Sequence, residues 1–584
     1  MQLWRRSRLE AFRLHLSRGE ALPQLALLAA IVGLLTGAVI LMFRMAIDLS
    51  LAPLLSGPPD GFESLPQLER LALPVLGAAL LALVFGRLPA ESLRVGVAHV
   101  MERLSRHQGY MPLRNALVQF FGGIIALASG MSGGREGPAV HLGAACSSLL
   151  GQRLQLPNNI IRTLVACGTA AAIAGSFNTP MAGVIFAMEV VMMEYTIKSF
   201  IPVIVAAVTA TLLTHMVIGP EPAFEVAALQ LNSLLEVPYI VLCGLVIGTV
   251  AAGYIRLVQQ FARLQSRPFW LRALLAGAIT GIAAIAAPQV MGVGYDTVNS
   301  AMVGQIALLT LLAVALLKSL TSAAAVGLGM PVGIIGPTLV IGATLGGAMG
   351  IIGAELQPEQ SASSGFYVML GMAAMMAAVL QAPLAALVAV LELTANPNVI
   401  LPAMLIIVVA TMTTSVPFRQ PSVFLSTLKT LGLQYPPNPV RLHLQRAGVT
   451  AIMNRSLVQL ESTCSMSRAH EALTRKPRWI LVETAPGRVR SVLSAGDLTA
   501  YLEQHEQRNG GAEVDLLEIP GARRDAADVD FRATLDQAQD LLSAPGIEAL
   551  CVRQLDGQAT ASATAPVRGV VTQEDIDNYR ESAQ

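Results

Sequence analysis

The feature that most restricts what this chain can fold into is a duplication. The stretch LVACGTAAAIAGSFNTPMAGVIFAMEV, starting at Leu164, is answered by VMLGMAAMMAAVLQAPLAALVAVLELT, starting at Val368. Gly168 and Gly371, Pro180 and Pro383, and Glu189 and Glu392 all fall at one spacing of 203 residues (371 − 168). Upstream of each copy stands a second matching element, GREGP at 134–138 and GIIGP at 333–337, with a spacing of 199 (333 − 134). Two Ala/Gly-rich helices alike by chance would share alanines, but not the positions of Gly, Pro and Glu. Duplicated membrane units commonly pair in inverted orientation, with the substrate near the midplane where discontinuous helices of the two halves meet. The Gly-rich elements are therefore where a transport site is expected.

The membrane assignment rests on composition and run length. Of 584 residues, 54% are hydrophobic and 13% charged, and apolar runs recur at 24–47, 162–188, 237–255, 306–317 with its flanks, and 366–391. Runs of that length suit a hydrocarbon core about 30 Å thick. Others are broken by Gly and Pro, which a bilayer tolerates only where the freed backbone is buried in protein or lines a watery cavity. The formal net charge of +1 averages a neutral membrane part with charged ends, and it gives no sign of a nucleic-acid partner. The Arg-rich amphipathic start, MQLWRRSRLEAFRLHLSR, reads as a cytoplasmic segment and not as a cleaved signal. Cys146, Cys167, Cys243, Cys464 and Cys551 lack CxxC spacing and read as small core residues. The membrane part offers no nucleophile–base set, HExxH arrangement or His/Asp cluster, so an enzyme is not expected, and no cofactor is required.

An anion crossing a bilayer needs its hydration replaced by groups that do not hold it too tightly. The N-termini of broken helices supply unpaired N–H groups and a positive dipole end. SGGREGPAV and GMPVGIIGPTLV both have the glycines, the early Pro and the apolar continuation of such ends. Glu136 stands in the first of them, in an otherwise apolar region where an ionisable side chain marks a functional position. Ionised, its carboxylate competes with an anion for the same amides; protonated, it lets go. An ion pair with Arg135 is the structural alternative. His141, five residues on, titrates near neutral pH if exposed, although a satisfied buried histidine is the plainer reading.

At these residues the sequence resembles the CLC family of chloride channels and chloride/proton exchangers, over almost the whole chain. GREGP resembles its gating-glutamate motif, and AAAIAGSFNTPMAGVIFAMEV, Lys318, and LQAPLAALVAVLELT follow in the family's order. The resemblance implies an all-α polytopic membrane domain of tilted and broken helices in an inverted repeat. It implies a homodimer with one pore per subunit and a glutamate, Glu136, plugging the outer end of that pore. It places chloride against Val95 and Gly96, against Gly134, Arg135 and Gly137, against Gly333, Ile334 and Ile335, and against Phe424.

The sequence also departs from the family pattern. Where the family usually reads GSGIP, this chain has RVGVA, so Val95 replaces a hydroxyl residue; the pore tyrosine falls on Phe424; Ile335 replaces the Phe of GxFxP. The site is then expected to rest on backbone amides alone. Exchangers of the family generally carry a second consecutive glutamate as internal proton acceptor, and here Glu189 is followed by Val190. That favours a passive, gated chloride channel. The alternatives are a chloride/proton antiporter with a displaced acceptor and an unrelated inverted-repeat transporter. Glu194 shares a helical face with Val190 if the helix persists, where it could substitute, but it reads more simply as a solvated helix end.

From Val449 the tail holds a repeat of its own. RWILVE and RSVLSAGDL are answered by EALCV and RGVVTQEDI, with Arg490 and Arg568, and Asp497 and Asp575, each 78 apart (568 − 490). Each copy reads as helix, two short strands, helix, and the order resembles a paired CBS module of small α/β type. Ser494, Asp497, Thr572 and Asp575 fit the positions at which nucleotide-binding CBS pairs hold an adenine nucleotide; the same residues also cap helices in pairs that bind nothing. The expected organisation is a cytoplasmic segment at 1–22, the transport domain at 23–430, a linker at 431–448, and CBS domains at 449–506 and 507–584. Basic residues flanking the membrane part, including Arg419 and Lys429, put both termini in the cytoplasm of a bacterial inner membrane.

Overall fold

The computed structural model describes residues 22–55, 61–195, 197–220, 224, 231, 233–356, 362–433, 439–485, 488–505, 513–521, 523–555 and 565–581. The expected cytoplasmic segment at 1–22 lies outside them except for Leu22, as do residues 434–438 of the expected linker. The chain divides into two compact units, one of Leu25–Leu154 and Arg162–Pro436 and one of Met1–Gln24, Gln155–Ile161 and Pro437–Gln584.

The first unit is helical. Its first half comprises α1 (Leu22–Leu51), α2 (Gln67–Phe85), α3 (Gly96–Arg106), α4 (Leu113–Ala128), α5 (Glu136–Arg153), α6 (Asn158–Phe177), α7 (Pro180–Phe186) and α8 (Ile197–Val217). The second half repeats the series as α9 (Val237–Ala262), α10 (Phe269–Ala286), α11 (Tyr295–Met302), α12 (Leu308–Gly327), α13 (Ile335–Leu356), α14 (Ser364–Leu380), α15 (Pro383–Thr394) and α16 (Ile400–Ser415), and α17 (Val423–Thr430) follows. Nine helices among the described residues are long and apolar enough to cross a membrane. With the short, interrupted helices between them they make a multi-pass membrane protein.

The duplicated residues have local causes. Pro180 and Pro383 each open a helix, where the missing N–H costs nothing. Each follows a turn through a left-handed residue, Asn178 (φ 62°) or Gln381 (φ 53°). Gly168 and Gly371 sit where two helices cross backbone to backbone. A Cβ at Gly168 would lie 2.1 Å from the carbonyl oxygen of Gly143, and one at Gly371 2.1 Å from that of Gly342. Small residues at such crossings let membrane helices approach closely. The paired glutamates act across the repeat. Glu189 accepts from the amides of Leu384 (3.3 Å) and Ala385 (2.7 Å), while Glu392 accepts from those of Met181 (2.9 Å) and Ala182 (2.7 Å). Each copy thus satisfies the orphan N–H groups at the start of the other copy's helix.

One expected relationship does not form. Beyond Phe186 the helix passes into a π-helical stretch, Ala187–Met192, which ends at Met193 in a left-handed conformation (φ 52°). No continuous α-helix therefore joins Val190 to Glu194, and the shared face is absent. Glu194 is buried, not a solvated helix end.

The second unit contains two copies of a β-α-β-β-α order, the first with an extra short strand, β2, before its first helix. One runs β1 (Leu457–Glu461), β2 (Thr463–Ser465), α19 (Met466–Thr474), β3 (Trp479–Ala485), β4 (Arg488–Ser494), α20 (Ala495–His505), preceded by α18 (Pro439–Gln445) and followed by the short β5 (Glu513–Asp515). The other runs β6 (Arg524–Asp530), α21 (Leu535–Leu542), β7 (Ala549–Arg553), β8 (Gly569–Thr572), α22 (Gln573–Glu581). β1 pairs parallel to β3 and β6 parallel to β7, and a six-stranded sheet of order β1-β3-β4-β6-β7-β8 joins the copies. The leading strands β1 and β6 are additions to the expected helix–strand–strand–helix reading. Of the tail cysteines, both are buried, and burial pushes the Cys551 thiol up to about 12, consistent with a packing role.

Candidate anion site

The two glycine elements meet as an antiparallel bridge. Gly134 N donates to Gly333 O at 2.8 Å, and Gly333 N donates to Gly134 O at 2.6 Å. The contact requires bare backbone: a Cβ on Gly137 would stand 2.6 Å from Gly333 Cα, and one on Gly333 would stand 2.5 Å from Gly137 N. The result brings the start of α5 to the start of α13, so two helix N-termini from opposite halves of the repeat share one place.

Glu136 is the first residue of α5 and is fully buried. Its Oε2 accepts from the amide of Gly336, in the first turn of α13, at 3.1 Å, and its Oε1 accepts from the hydroxyl of Tyr295. The carboxylate therefore occupies the space between the Gly336 amide and the Tyr295 hydroxyl. The Arg135 guanidinium lies over the Tyr295 ring, 5.5 Å from its centroid.

Tyr295 was not among the residues expected from sequence. It opens α11, the second-half counterpart of α3, directly after Gly294 in a left-handed conformation (φ 88°); α3 likewise begins at left-handed Gly96 (φ 76°). The loop delivering Tyr295 is fixed by buried Lys318, whose Nζ donates to the carbonyls of Val290 (3.0 Å), Met291 (3.3 Å) and Gly292 (2.9 Å). Carrying the repeat spacing of about 199 from RVGVA lands on GVGYD at 292–296, and that was the available signal.

A cavity of about 410 Å³ gathers most of the remaining expected residues: Val95, Gly96, Gly137, Gly333, Ile334, Ile335 and Phe424 all line it. Neither Val95 nor Phe424 presents a hydroxyl. The amide of Gly96 is engaged, donating to Gln119 Oε1 at 2.9 Å, while Gln119 Nε2 holds the carbonyl of Pro331 at 3.0 Å. Gln119, fully buried, is a second residue that the sequence did not single out. Arg94, Arg263 and Arg272 also line the cavity. Arg94 pairs with Glu102 at 2.6 Å, and Arg272 donates to the carbonyls of Arg267 and Leu328.

The other expected residues lie elsewhere. Val190 is buried in the π-helical stretch. His141 is fully buried, and its Nε2 lies 2.9 Å from Nδ1 of His99, so it is a buried histidine with a partner. In the tail, Asp575 Oδ2 accepts from both N and Oγ1 of Thr572, at 2.9 and 2.8 Å, and Ser494 Oγ accepts from Gly496 N at 3.2 Å. Asp497 packs on Gly521, whose Cβ would fall 2.8 Å from its Cγ. These contacts cap the starts of α20 and α22. A tail cavity of about 520 Å³ is lined by Arg524, Gln573, Glu574 and Asp577 among others, not by these four residues.

Comparison with known proteins fixes the class. The chain belongs to the voltage gated chloride channel family, whose model matches residues 75–415, more than half of its length. A ClcB-like protein of Ralstonia nicotianae, named as a chloride channel, is 34% identical over 351 residues, 59% of this chain and 82% of that protein. The H(+)/Cl(−) exchange transporter ClcA of Cronobacter sakazakii is 30% identical over 411 residues, covering 68% of this chain and 88% of the relative. Among solved structures, a eukaryotic CLC transporter aligns over 95% of this chain and 98% of its own with a TM-score of 0.59 at 18% identity. The family membership removes an unrelated inverted-repeat transporter from consideration.

Proposed function

We propose that this chain exchanges chloride for protons across a membrane, with Glu136 as the titrating gate. The observation that carries the reading is the fully buried Glu136 carboxylate, held by the Gly336 amide where the N-termini of α5 and α13 meet. A group that can take either a proton or the place of an anion links the two ions by competition at one site. The exchange activity named for the Cronobacter relative supports exchange over the passive conduction that Val190 first suggested. Passive conduction stays as the second reading on that one residue.

Purified protein in liposomes, given a chloride gradient and no pH gradient, separates them. Exchange drives protons opposite in direction to the chloride flow; constant pH while chloride runs down means a passive pathway and overturns the exchange reading.

The same proposal includes a homodimer with one pore per subunit, in a bacterial inner membrane with both termini cytoplasmic. The tail acts as a CBS pair whose copies, β1–α20 and β6–α22, are a candidate adenine-nucleotide sensor. Titrating ATP or AMP into the full-length protein, with flux as readout, tests the sensor.

A further inference from the structure

We propose that His99 and His141 form a proton-conducting pair between the anion cavity and the helix that carries Glu136, supplying the internal proton step for which Val190 has no group. This rests on the exchange reading above.

The geometry is specific. His99 lies on α3, three residues after Gly96, and lines the cavity; His141 lies on α5, five residues after Glu136, and does not. Nδ1 of His99 and Nε2 of His141 are 2.9 Å apart, and the rings are stacked with centroids at 5.2 Å and an interplanar angle of 24°. A single proton occupies the bond between two such nitrogens, so the rings are either donor and acceptor or the reverse. His141 Nδ1 is buried without a hydrogen-bond partner among the described residues. A bare acceptor nitrogen is cheaper to bury unpaired than an N–H, which favours Nε2–H on His141 donating to Nδ1 of His99. His99 then carries its remaining proton on Nε2.

From that state the step balances. A proton taken up by His141 Nδ1 sends the Nε2 proton to Nδ1 of His99, and His99 releases its Nε2 proton to cavity water. One proton enters, one leaves, and each ring ends neutral. The reverse sequence runs from cavity to His141. Five residues of helix separate His141 from Glu136, a rise of about 7.5 Å. An unpartnered buried nitrogen is an anchor for a water, and the proposal includes a bridging water between His141 Nδ1 and Glu136. The charged and titratable groups acting on His99 are His141 from α5 and, from its own stretch of chain, Arg103, Arg94 and His107. Glu102, also on α3 and also lining the cavity, is paired with Arg94.

The test is the proton-to-chloride ratio of the full chain in liposomes under a chloride gradient. His141→Gln and His99→Asn are each expected to lower the ratio at least tenfold while chloride still runs down. An unchanged ratio in both variants, with a coupled wild type, overturns the pair and leaves the exchange reading intact. A wild type that moves no protons overturns both. Should a variant fail to fold, ¹⁵N-histidine spectra of the wild-type chain decide: each ring must exchange between its Nδ1–H and Nε2–H tautomers, and a pair locked in one tautomer overturns the proposal.

Discussion

The hydroxyl of Tyr295 donates to the carboxylate of Glu136 and so ties the first residue of α11 to the first residue of α5, across 159 residues of sequence. It is one of two named donors that hold this carboxylate, the proposed gate, the other being the Gly336 amide. Tyr295→Phe removes the donor and keeps the ring. A hydrogen bond to a charged group is worth about 1.5 kcal/mol at the low end, or about tenfold in an equilibrium. Chloride efflux from liposomes is therefore expected to rise by about that factor at neutral pH. Efflux equal to wild type would mean that the amide alone sets the gate.

Glu189 and Glu392 cap each other's repeat, so Glu189→Gln and Glu392→Gln should cost similar amounts. Losing a charged acceptor from two orphan amides at a helix start is worth about 1 kcal/mol. The midpoint of thermal unfolding in detergent is expected to fall by about 1 °C for each. A fall for one and not the other would show that the two halves do not bear the load equally.

This pair also shows what the sequence could convey. Gly168, Gly371, Glu189 and Glu392 were visible because each is needed twice, once per half, and a spacing is legible without any knowledge of contacts. Glu136 was visible because a lone carboxylate is costly in an apolar setting. Tyr295, Gln119 and His99 were not. Each is one polar residue whose partner arrives from a distant element, and nothing local marks it. The π-helical stretch at Ala187–Met192 was equally hidden, because the i→i+5 pattern has no composition of its own, and so Glu194 was placed on a face that does not exist. The leading strands of the tail were missed for another reason. RDAADVD in β6 is polar and mostly half-buried, and LVQLE in β1 is a five-residue strand at the sheet edge; neither gives a clear two-residue alternation.

Val95 and Phe424 line the cavity without hydroxyls. Val95→Ser combined with Phe424→Tyr supplies two donors to the same space. With a net gain of about 1 kcal/mol per hydrogen bond, chloride affinity by calorimetry should rise by roughly tenfold or more. Unchanged affinity would mean that these side chains face the cavity but not the ion.

Glu136 itself carries the last prediction. Ionised, its carboxylate takes the Gly336 amide and the Tyr295 hydroxyl that would otherwise be open to an anion. Protonated, it has no charge to set against chloride, and the acid form accepts more weakly. Lowering the pH on the side that reaches Glu136 therefore raises chloride flux, and raising it closes the path. Glu136→Gln keeps the shape and removes the titration, so its flux should be high and flat with pH, and proton movement should stop while chloride continues. Tyr295→Phe should retain the pH dependence and move it toward higher pH, since the lost donor favoured the carboxylate form. The two variants thus separate a gate that titrates from a donor that only tunes it. Flux in Glu136→Gln that still rises steeply as the pH falls would place the titrating group elsewhere, and the cavity-lining His99 would be the first residue to test.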